Sequence, residues 1–310
     1  MPTRPFRFAL SVNRLPESKD DWLRSVKLAD DLGYSQVVLG DHVGEQRYSS
    51  VPALAAAAAM NPRLRFGTSV FNNDFRHPAL LAKDVATLDV MTEGRYELGL
   101  GAGWMGTDYT TTGIPRDSGR IRIERLEESV QIIKGLFGPG PVSFEGRHYQ
   151  TRALEGWPKP IQQPLPIFIG GGTRRLLAMA ARQADIVGLQ PVHRGGVYGG
   201  GSELSSAALA ERQRWVAEAA GERIELIELQ MLVHAVSVTG DPREGAGKLA
   251  PRFGMTVDEA LTSPYLMVGP ITKIVEDLIS MRERLRLSYF TIRYLDAVAF
   301  APVLARLIGI

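Results

Sequence analysis

Two adjacent residues with acid–base chemistry, Asp41 and His42, follow the second predicted strand, Gln36 to Leu39. The side chain of histidine titrates near neutrality, so it can donate a hydrogen bond or transfer a proton near pH 7. In folds that alternate strands with helices, the carboxyl ends of the strands carry the chemistry. We therefore predict a functional role for this pair, with a purely structural histidine as the alternative interpretation.

A glycine-rich turn reads Gly170-Gly171-Gly172-Thr173-Arg174, with a further arginine at position 175. It follows a predicted strand and opens a predicted helix. Exposed backbone N–H groups and the positive end of a helix dipole bind anions. A positively charged arginine is unfavourable at the positive end of the dipole. Two arginines at the helix start therefore favour a bound anion that offsets this repulsion. The pattern predicts a phosphate site, and the alternative is a glycine turn with solvated arginines.

A second glycine cluster, Gly99, Gly101 and Gly103, closes the predicted strand Tyr96 to Leu100. It lacks the helix-side glycine of the dinucleotide fingerprint, and the next predicted helix begins too far away. A Rossmann-type interpretation is therefore poor. Glycines still allow a backbone to approach a flat ring closely, and the alternative is a tight turn without a ligand.

The composition limits the classes of partner. The chain of 310 residues has no cysteine, and its five histidines form neither His-x-His nor HExxH, so we expect no metal site. A net charge of +2 gives no broad field for nucleic acid or an anionic membrane. The longest apolar run has eight residues, Ala53 to Met60, and the N-terminus lacks the apolar core of a signal peptide. We expect a cytoplasmic protein that binds neither nucleic acid nor a membrane and acts on a small molecule.

The stretch from Leu64 to Trp104 predicts one strand–helix–strand unit. Its strands are Leu64 to Val70 and Tyr96 to Leu100, and its helix starts at Pro78 and stops at Gly94. Such a unit is a right-handed crossover of a parallel sheet. The other predicted strands are Phe6 to Val12, Gln36 to Leu39, Leu165 to Ile169, Ile186 to Leu189, a long strand within Glu225 to Val238, and Tyr289 to Tyr294.

Eight strands separated by helices predict a single (β/α)8 TIM barrel, of α/β class with loop insertions, over residues 1–310. A doubly wound open sheet is the alternative. We predict a loop between Gly106 and Gly119, and a hairpin over Val142 to Thr151. The glycine-rich stretch 192–206 is either a lid or a flexible insertion.

In order along the chain, these motifs resemble the bacterial luciferase-like family (LLM class) of flavin and deazaflavin oxidoreductases. The resemblance covers nearly the whole length, and within the family it is closest to the branch that uses coenzyme F420. The motifs that carry it are Gly40-Asp-His42, Arg65-Phe-Gly-Thr-Ser-Val70, His77-Pro78, Gly94-Arg95, Gly99-Leu-Gly-Ala-Gly-Trp104, Gly113-Ile-Pro115, Arg125-Leu-Glu-Glu128, Pro158-Lys-Pro160, Pro166 to Gly172 and Ala184-Asp185.

The resemblance implies that a deazaflavin ring lies at the C-terminal mouth of a barrel, with a non-prolyl cis peptide, Ser69-Val70, behind it. It also implies that Asp41 and His42 lie near the ring and that Asn72 contacts the ring edge. The other cofactor positions that it implies are Gly101, Gly103 and Trp104 in the fourth-strand loop, and Gly170, Gly171, Gly172, Thr173 and Arg174 at the phosphate.

One departure from the family concerns the substrate. The F420-dependent sugar-phosphate dehydrogenases of this family place a catalytic glutamate just after the fourth-strand glycines. Here that segment reads Trp104-Met-Gly-Thr-Asp108, with no glutamate at the matching place. The departure counts against a sugar phosphate as substrate.

The function that we predict is an F420-dependent oxidoreductase that transfers hydride to or from an unidentified small organic substrate. In this hypothesis His42 exchanges a proton with the substrate, and Asp41 hydrogen-bonds the ring system. The nearest alternative is an FMN-dependent luciferase-like monooxygenase. Two others are a non-catalytic deazaflavin carrier or sensor, and a phosphate-binding aldolase or isomerase, for which Lys83 and Lys134 are poorly placed in predicted helices. The resemblance also implies a homodimer through helices near the second and third strands.

Overall fold

The computed structural model describes residues 4–13, 17–44, 46–194, 197–198 and 201–310, with only the backbone described at 193, 194, 197 and 198. The described residues form two compact units. One lies within Met1–Val12, Lys27–Val37 and Gly171–Ile310, and the other within Asn13–Val26 and Val38–Gly170. The prediction of one domain over residues 1–310 stays a prediction.

The strands are β1 (Arg7–Ser11), β2 (Gln36–Leu39), β3 (Arg65–Thr68), β4 (Phe71–Asn72), β5 (Tyr96–Gly101), β6 (Val142–Glu145), β7 (Gln150–Leu154), β8 (Ile167–Gly171), β9 (Ile186–Leu189), β10 (His193–Arg194), β11 (Val197–Tyr198), β12 (Glu228–Leu232), β13 (Ala235–Val238), β14 (Leu266–Gly269) and β15 (Leu287–Arg293). The α-helices are α1 (Lys19–Asp31), α2 (Ser50–Met60), α3 (Pro78–Met91), α4 (Gly106–Thr112), α5 (Gly119–Phe137), α6 (Arg174–Gln183), α7 (Ser206–Ala220), α8 (Pro242–Leu249), α9 (Val257–Thr262), α10 (Ile271–Leu285) and α11 (Ala297–Leu307).

Nine strands form the main sheet in the order β3-β2-β1-β15-β12-β9-β8-β5-β4, and β3 also pairs with β5. This additional pairing closes the sheet. The pairs of β15 with β1 and β12, and of β5 with β3, β4 and β8, are parallel. Strand β4 continues the line of β3, and both pair with β5, so the two together occupy one of eight strand positions around the closed sheet. The predicted (β/α)8 barrel is confirmed.

The strands of the main sheet are mostly buried because both of their faces are covered. All six residues of β5 are buried, as expected for a parallel strand with helices on one side and barrel interior on the other. Close packing also requires glycine at position 99, where a Cβ atom would lie 1.8 Å from the carbonyl oxygen of Thr68. In the other unit, Phe8 packs against Phe290 and Phe300 with ring centroids 6.1 and 5.3 Å apart.

Local sequence signals at helix ends are borne out. Helix α3 starts at Pro78 after His77, whose side chain accepts a hydrogen bond from the N–H of Ala79. It stops before Glu93 and Gly94, both in the left-handed region with φ 54° and 78°. Helix α10 spans Ile271 to Leu285, the bounds that the amphipathic pattern of this stretch predicts.

Three predictions about elements are wrong. The loop predicted between Gly106 and Gly119 contains helix α4, whose sequence shows no apolar periodicity and is rich in threonine, a weak helix former. The long strand predicted within Glu225 to Val238 is two strands, because β13 leaves the main sheet and pairs with the unpredicted β14. The third predicted strand, Leu64 to Val70, ends at Thr68, and β4 at Phe71 and Asn72 lies beyond the predicted bounds.

In the glycine-rich stretch 192–206, residues 195–196 and 199–200 lie outside the described residues, so the choice between a lid and an insertion stays open. Within the described part of the chain, no helix combines the length and the apolar character needed to cross a bilayer.

Candidate active site

In the unit that comprises Asn13–Val26 and Val38–Gly170, the carboxyl ends of β2, β4 and β5 bring together Asp41, His42, Asn72, Gly103 and Trp104. Helix α4 lies directly after the β5 segment and adds Asp108 and Tyr109 to the same group. The contacts below join these residues into one polar site at the carboxyl ends of the strands.

His42 is held by a buried carboxylate. Its Nδ1 lies 2.8 Å from Oδ2 of Asp108, and the backbone N–H of Val43 donates to Oδ1 of the same residue at 3.2 Å. Asp108 is 3% exposed, so this carboxylate is turned away from water. Nε2 of His42 has no hydrogen-bond partner within the part of the chain that the structure describes. The imidazole is therefore oriented through one nitrogen and available for chemistry at the other.

The Trp104 ring contacts His42 edge-on, with centroids 5.6 Å apart. Trp104 itself is 41% exposed. Two arginines from the following segment fix the backbone here: Arg122 donates to the carbonyl oxygens of Ala102 and Gly103 at 3.0 and 3.1 Å, and Arg116 donates to that of Trp104 at 3.0 Å. The guanidinium groups of these two arginines thus hold the backbone of the loop after β5 in place.

Asp41 forms an ion pair with Arg76. Arg76 binds both of its carboxylate oxygens, with Nη2 to Oδ1 at 2.8 Å, and lies over the Phe71 ring with its central carbon 4.6 Å from the centroid. Oδ2 of Asp41 also accepts from the backbone N–H of Asn72 at 3.0 Å. This carboxylate holds the start of the segment after β3, and its predicted contact with a ring system stays a prediction.

The Asn72 side chain belongs to a buried hydrogen-bond network. Tyr109 Oη lies 3.1 Å from Nδ2 and 3.2 Å from Oδ1 of Asn72, and 2.9 Å from Oδ2 of Asp74. Burial, assisted by the nearby Asp74 carboxylate, raises the pKa of Tyr109 to about 12, so its hydroxyl keeps its proton at neutral pH.

Because Gly101 and Gly103 have no side chain, neighbouring side chains pack directly against the backbone at the end of β5 and just after it. A Cβ atom at Gly103, where φ is +73°, would lie 2.0 Å from Tyr109 Oη and 2.6 Å from Asn72 Oδ1. A Cβ atom at Gly101 would lie 2.6 Å from a methyl group of Val70. The Gly-x-Gly spacing is therefore explained by close side-chain packing at both positions.

The Ser69-Val70 peptide bond is cis, as the resemblance implied, and the N–H of Ser69 donates to the carbonyl oxygen of Leu39 at 2.7 Å. Ser69 and Val70 are partly exposed. Their predicted place behind a ring stays a prediction.

The glycine turn after β8 leads into α6. Thr173 caps this helix, since its side chain accepts from the N–H of Leu176, and Gly171 accepts from the N–H of Gln190 at 2.9 Å. A Cβ atom at Gly172 would lie 2.4 Å from the carbonyl oxygen of Gln190, so only glycine fits there. Arg174 is exposed and lies 3.5 Å from Glu218. The turn and the helix start have the predicted form, and Gly170, at the head of the turn, is partly exposed. The anion itself stays a prediction.

Sequence reasoning assigned no site role to Arg76, nor to Asp108 and Tyr109 on helix α4. The signal was weak, because the two residues sit on a helix without apolar periodicity and their partners lie 66 and 37 positions away. In the described part of the chain, no group of three or more His, Asp or Glu side chains could hold a metal ion.

The chain matches a known protein family over most of its length. A family model described as luciferase-like monooxygenase matches residues 5–253. The F420-dependent glucose-6-phosphate dehydrogenase of Microbacterium testaceum is 32% identical over 190 residues, which cover 59% of this chain and 56% of that protein. The chain therefore spans little more than half the length of the curated relatives that it matches.

Two solved structures share the fold over nearly the whole chain. An F420-dependent secondary alcohol dehydrogenase in complex with an F420–acetone adduct aligns with a TM-score of 0.75 at 18% identity, covering 97% of this chain and 98% of that one. A long-chain alkane monooxygenase aligns with a TM-score of 0.76 at 15% identity, covering 99% and 92%. Because the family model matches residues 5–253, most of this chain, the chain belongs to the luciferase-like monooxygenase family.

Proposed function

We propose that this chain is an oxidoreductase that uses coenzyme F420 to transfer hydride to or from a small organic substrate. The observation that carries the proposal is the His42–Asp108 pair, a histidine oriented by a carboxylate that is 3% exposed, at the end of β2. The relative from Microbacterium testaceum and the alcohol dehydrogenase structure, both F420-dependent by name, support the choice of cofactor.

The residues present fit a flat, polar-edged ring. Asn72 supplies an amide N–H without a protein partner among the described residues, and Ser69 and Val70, on either side of the cis peptide bond, are partly exposed at the same strand ends. When bound, the deazaflavin supplies the hydride chemistry, and the protein supplies binding and orientation. We assign Ser69, Val70, Asn72, Gly101, Gly103 and Trp104 to the ring, and Gly170, Gly171, Gly172, Thr173 and Arg174 to the cofactor phosphate.

His42 is the group that moves a proton. Because the Asp108 carboxylate accepts at Nδ1, the neutral imidazole carries its proton there and presents Nε2 as a base. A substrate such as an alcohol gives up one hydride and one proton, which matches a site with one such base. Trp104 occupies the position after the fourth-strand glycines, where the family's sugar-phosphate dehydrogenases have a carboxylate, so we propose a substrate other than a sugar phosphate.

The test is a substrate screen with purified protein. Alcohols and carbonyl compounds are incubated without oxygen with oxidised or reduced F420, and the violet absorbance of the cofactor is followed. We expect turnover with at least one member of the panel. Binding of F420 without any turnover supports the carrier alternative, and oxygen consumption with FMN supports the monooxygenase alternative; either result contradicts the proposal.

We further propose that the protein is a cytoplasmic homodimer. Large apolar side chains on α2 and α3 are more than 60% exposed, namely Met60, Leu80 and Met91. Light scattering during gel filtration measures the mass. We expect twice the mass of the 34.0 kDa chain for the wild type and a monomer for Leu80→Glu, and a monomeric wild type would contradict the proposal.

A further inference from the structure

We propose that Tyr109 is a positioning residue whose hydroxyl group holds the Asn72 carboxamide in one orientation. The Asp74 carboxylate accepts from that hydroxyl group, and Arg125 holds Asp74 in turn. The inference deepens the proposed function and rests on it, because the proposed function assigns Asn72 to the edge of the deazaflavin ring.

The hydroxyl of Tyr109 has one proton and three neighbours. It lies 2.9 Å from Asp74 Oδ2, 3.2 Å from Asn72 Oδ1 and 3.1 Å from Asn72 Nδ2. A charged carboxylate is a stronger acceptor than an amide oxygen, and here it is also the closer of the two. The Tyr109 proton therefore goes to Asp74, and the phenol oxygen accepts from Nδ2 of Asn72.

The other end of the Asn72 amide agrees with this arrangement. Its Oδ1 accepts from the backbone N–H of Asp74 at 3.1 Å. Rotating the amide by half a turn would set its NH2 group against that N–H, two donors facing each other. The amide is thus fixed at its oxygen by a backbone donor and at its nitrogen by Tyr109.

Asp74 is itself anchored. Its side chain is 1% exposed, and Arg125 Nη1 lies 2.6 Å from Oδ1, the carboxylate oxygen that Tyr109 does not use. Arg125 also pairs with Asp117. The series Arg125, Asp74, Tyr109 and Asn72 therefore runs from helix α5 to the end of β4.

This series leaves one donor at a fixed place. The Asn72 side chain uses Oδ1 and one N–H, and its second N–H has no partner in the described chain. An amide N–H is the donor that a carbonyl oxygen at a ring edge requires. Tyr109 orients this donor without touching the ring, so it belongs to the positioning residues.

The test compares Tyr109→Phe with Tyr149→Phe. Tyr149 is a matched control, because its hydroxyl lies 3.3 Å from Nδ2 of the neighbouring residue, Asn73. Two quantities are measured: the NMR signals of the Asn72 side-chain amide without cofactor, and the Kd of F420 from fluorescence quenching. For Tyr109→Phe we expect shifted amide signals and a Kd raised about five-fold, the worth of one hydrogen bond. The control should change neither quantity.

The outcomes separate this inference from the proposed function. Unchanged Asn72 signals in Tyr109→Phe, or an equal loss of F420 affinity in both variants, overturn the positioning role. A wild-type protein that binds no F420, while its Asn72 signals respond to Tyr109→Phe alone, overturns the proposed function and supports the positioning role. If Tyr109→Phe fails to fold, Asp74→Asn removes the charged acceptor, and the same shift of the Asn72 signals is then expected.

Discussion

At the scale of single residues, the role of each side chain in the site depends on which of its polar atoms already have protein partners. Asp41 has both carboxylate oxygens bound to Arg76, whereas His42 keeps one ring nitrogen free of protein partners among the described residues. Asp41 and His42 are adjacent in the sequence but therefore have different roles. Asp41 organises the chain, and His42 is the candidate for proton transfer.

His42→Ala should lower kcat by about a hundred-fold or more, because general acid–base catalysis contributes that much. Asp108→Asn should lower kcat by about ten-fold, since the amide holds Nδ1 without a charge. Both are measured by steady-state kinetics with the substrate found in the screen. Equal turnover of His42→Ala and wild type would refute the role of His42.

Gly103→Ala and Gly113→Ala form a matched pair, because φ is +73° at Gly103 and +74° at Gly113, and a Cβ atom at Gly113 would meet nothing within 4 Å. Gly113→Ala should cost about 1 kcal/mol of unfolding free energy from backbone strain alone. Gly103→Ala should cost several times more, since its methyl group would overlap Tyr109 Oη. Urea unfolding measures both, and similar costs would contradict the packing argument.

At the scale of elements, the strands present the site and helix α4 completes it. Strands β2, β4 and β5 deliver Asp41, Asn72 and the glycine loop, and α4 adds the buried partners Asp108 and Tyr109. Arg122, at the start of α5, ties this assembly to the loop through two carbonyl oxygens.

Arg122→Ala should lower the free energy of unfolding by about 2 kcal/mol, because three carbonyl oxygens, those of Ala102, Gly103 and Asp117, lose a charged donor. Arg120→Ala is the control: its side chain is 63% exposed and forms a surface pair with Glu124, so the expected change is below about 0.5 kcal/mol. The comparison uses urea unfolding of both variants. If the two lose the same stability, Arg122 does not brace the loop.

Sequence reasoning predicted the barrel because short apolar runs alternate with helices whose ends are marked by proline or glycine, as at Pro78 and Gly94. It predicted the cis bond at Ser69-Val70 through resemblance alone. It missed α4, whose residues are polar and whose stability comes from tertiary contacts of Asp108 and Tyr109. It also missed the break after Leu232, since the apolar pattern continues into β13 and carries no turn residue.

At the scale of the whole molecule, burial of phenol groups couples stability to alkaline pH. Burial raises the pKa of Tyr34, Tyr96, Tyr109, Tyr149 and Tyr265, reaching about 12 for Tyr109 and Tyr265. The folded chain holds these protons more tightly than the unfolded chain does. Their stabilising contribution is therefore full below about pH 10 and is lost as the pH rises towards 12.

We expect the melting temperature to fall steeply between about pH 10 and 12, with tyrosinate absorbance appearing together with loss of circular dichroism. Tyrosinate that forms fully near pH 10 in a protein still folded would show that these phenols are accessible to water.

The claim on which the account depends is that the site at the ends of β2, β4 and β5 takes a deazaflavin. Equilibrium dialysis of the purified protein against equal concentrations of F420 and FMN tests it most directly. The account predicts retention of F420 at one equivalent per chain, with little FMN. Preferential retention of FMN, or of neither cofactor, would contradict it.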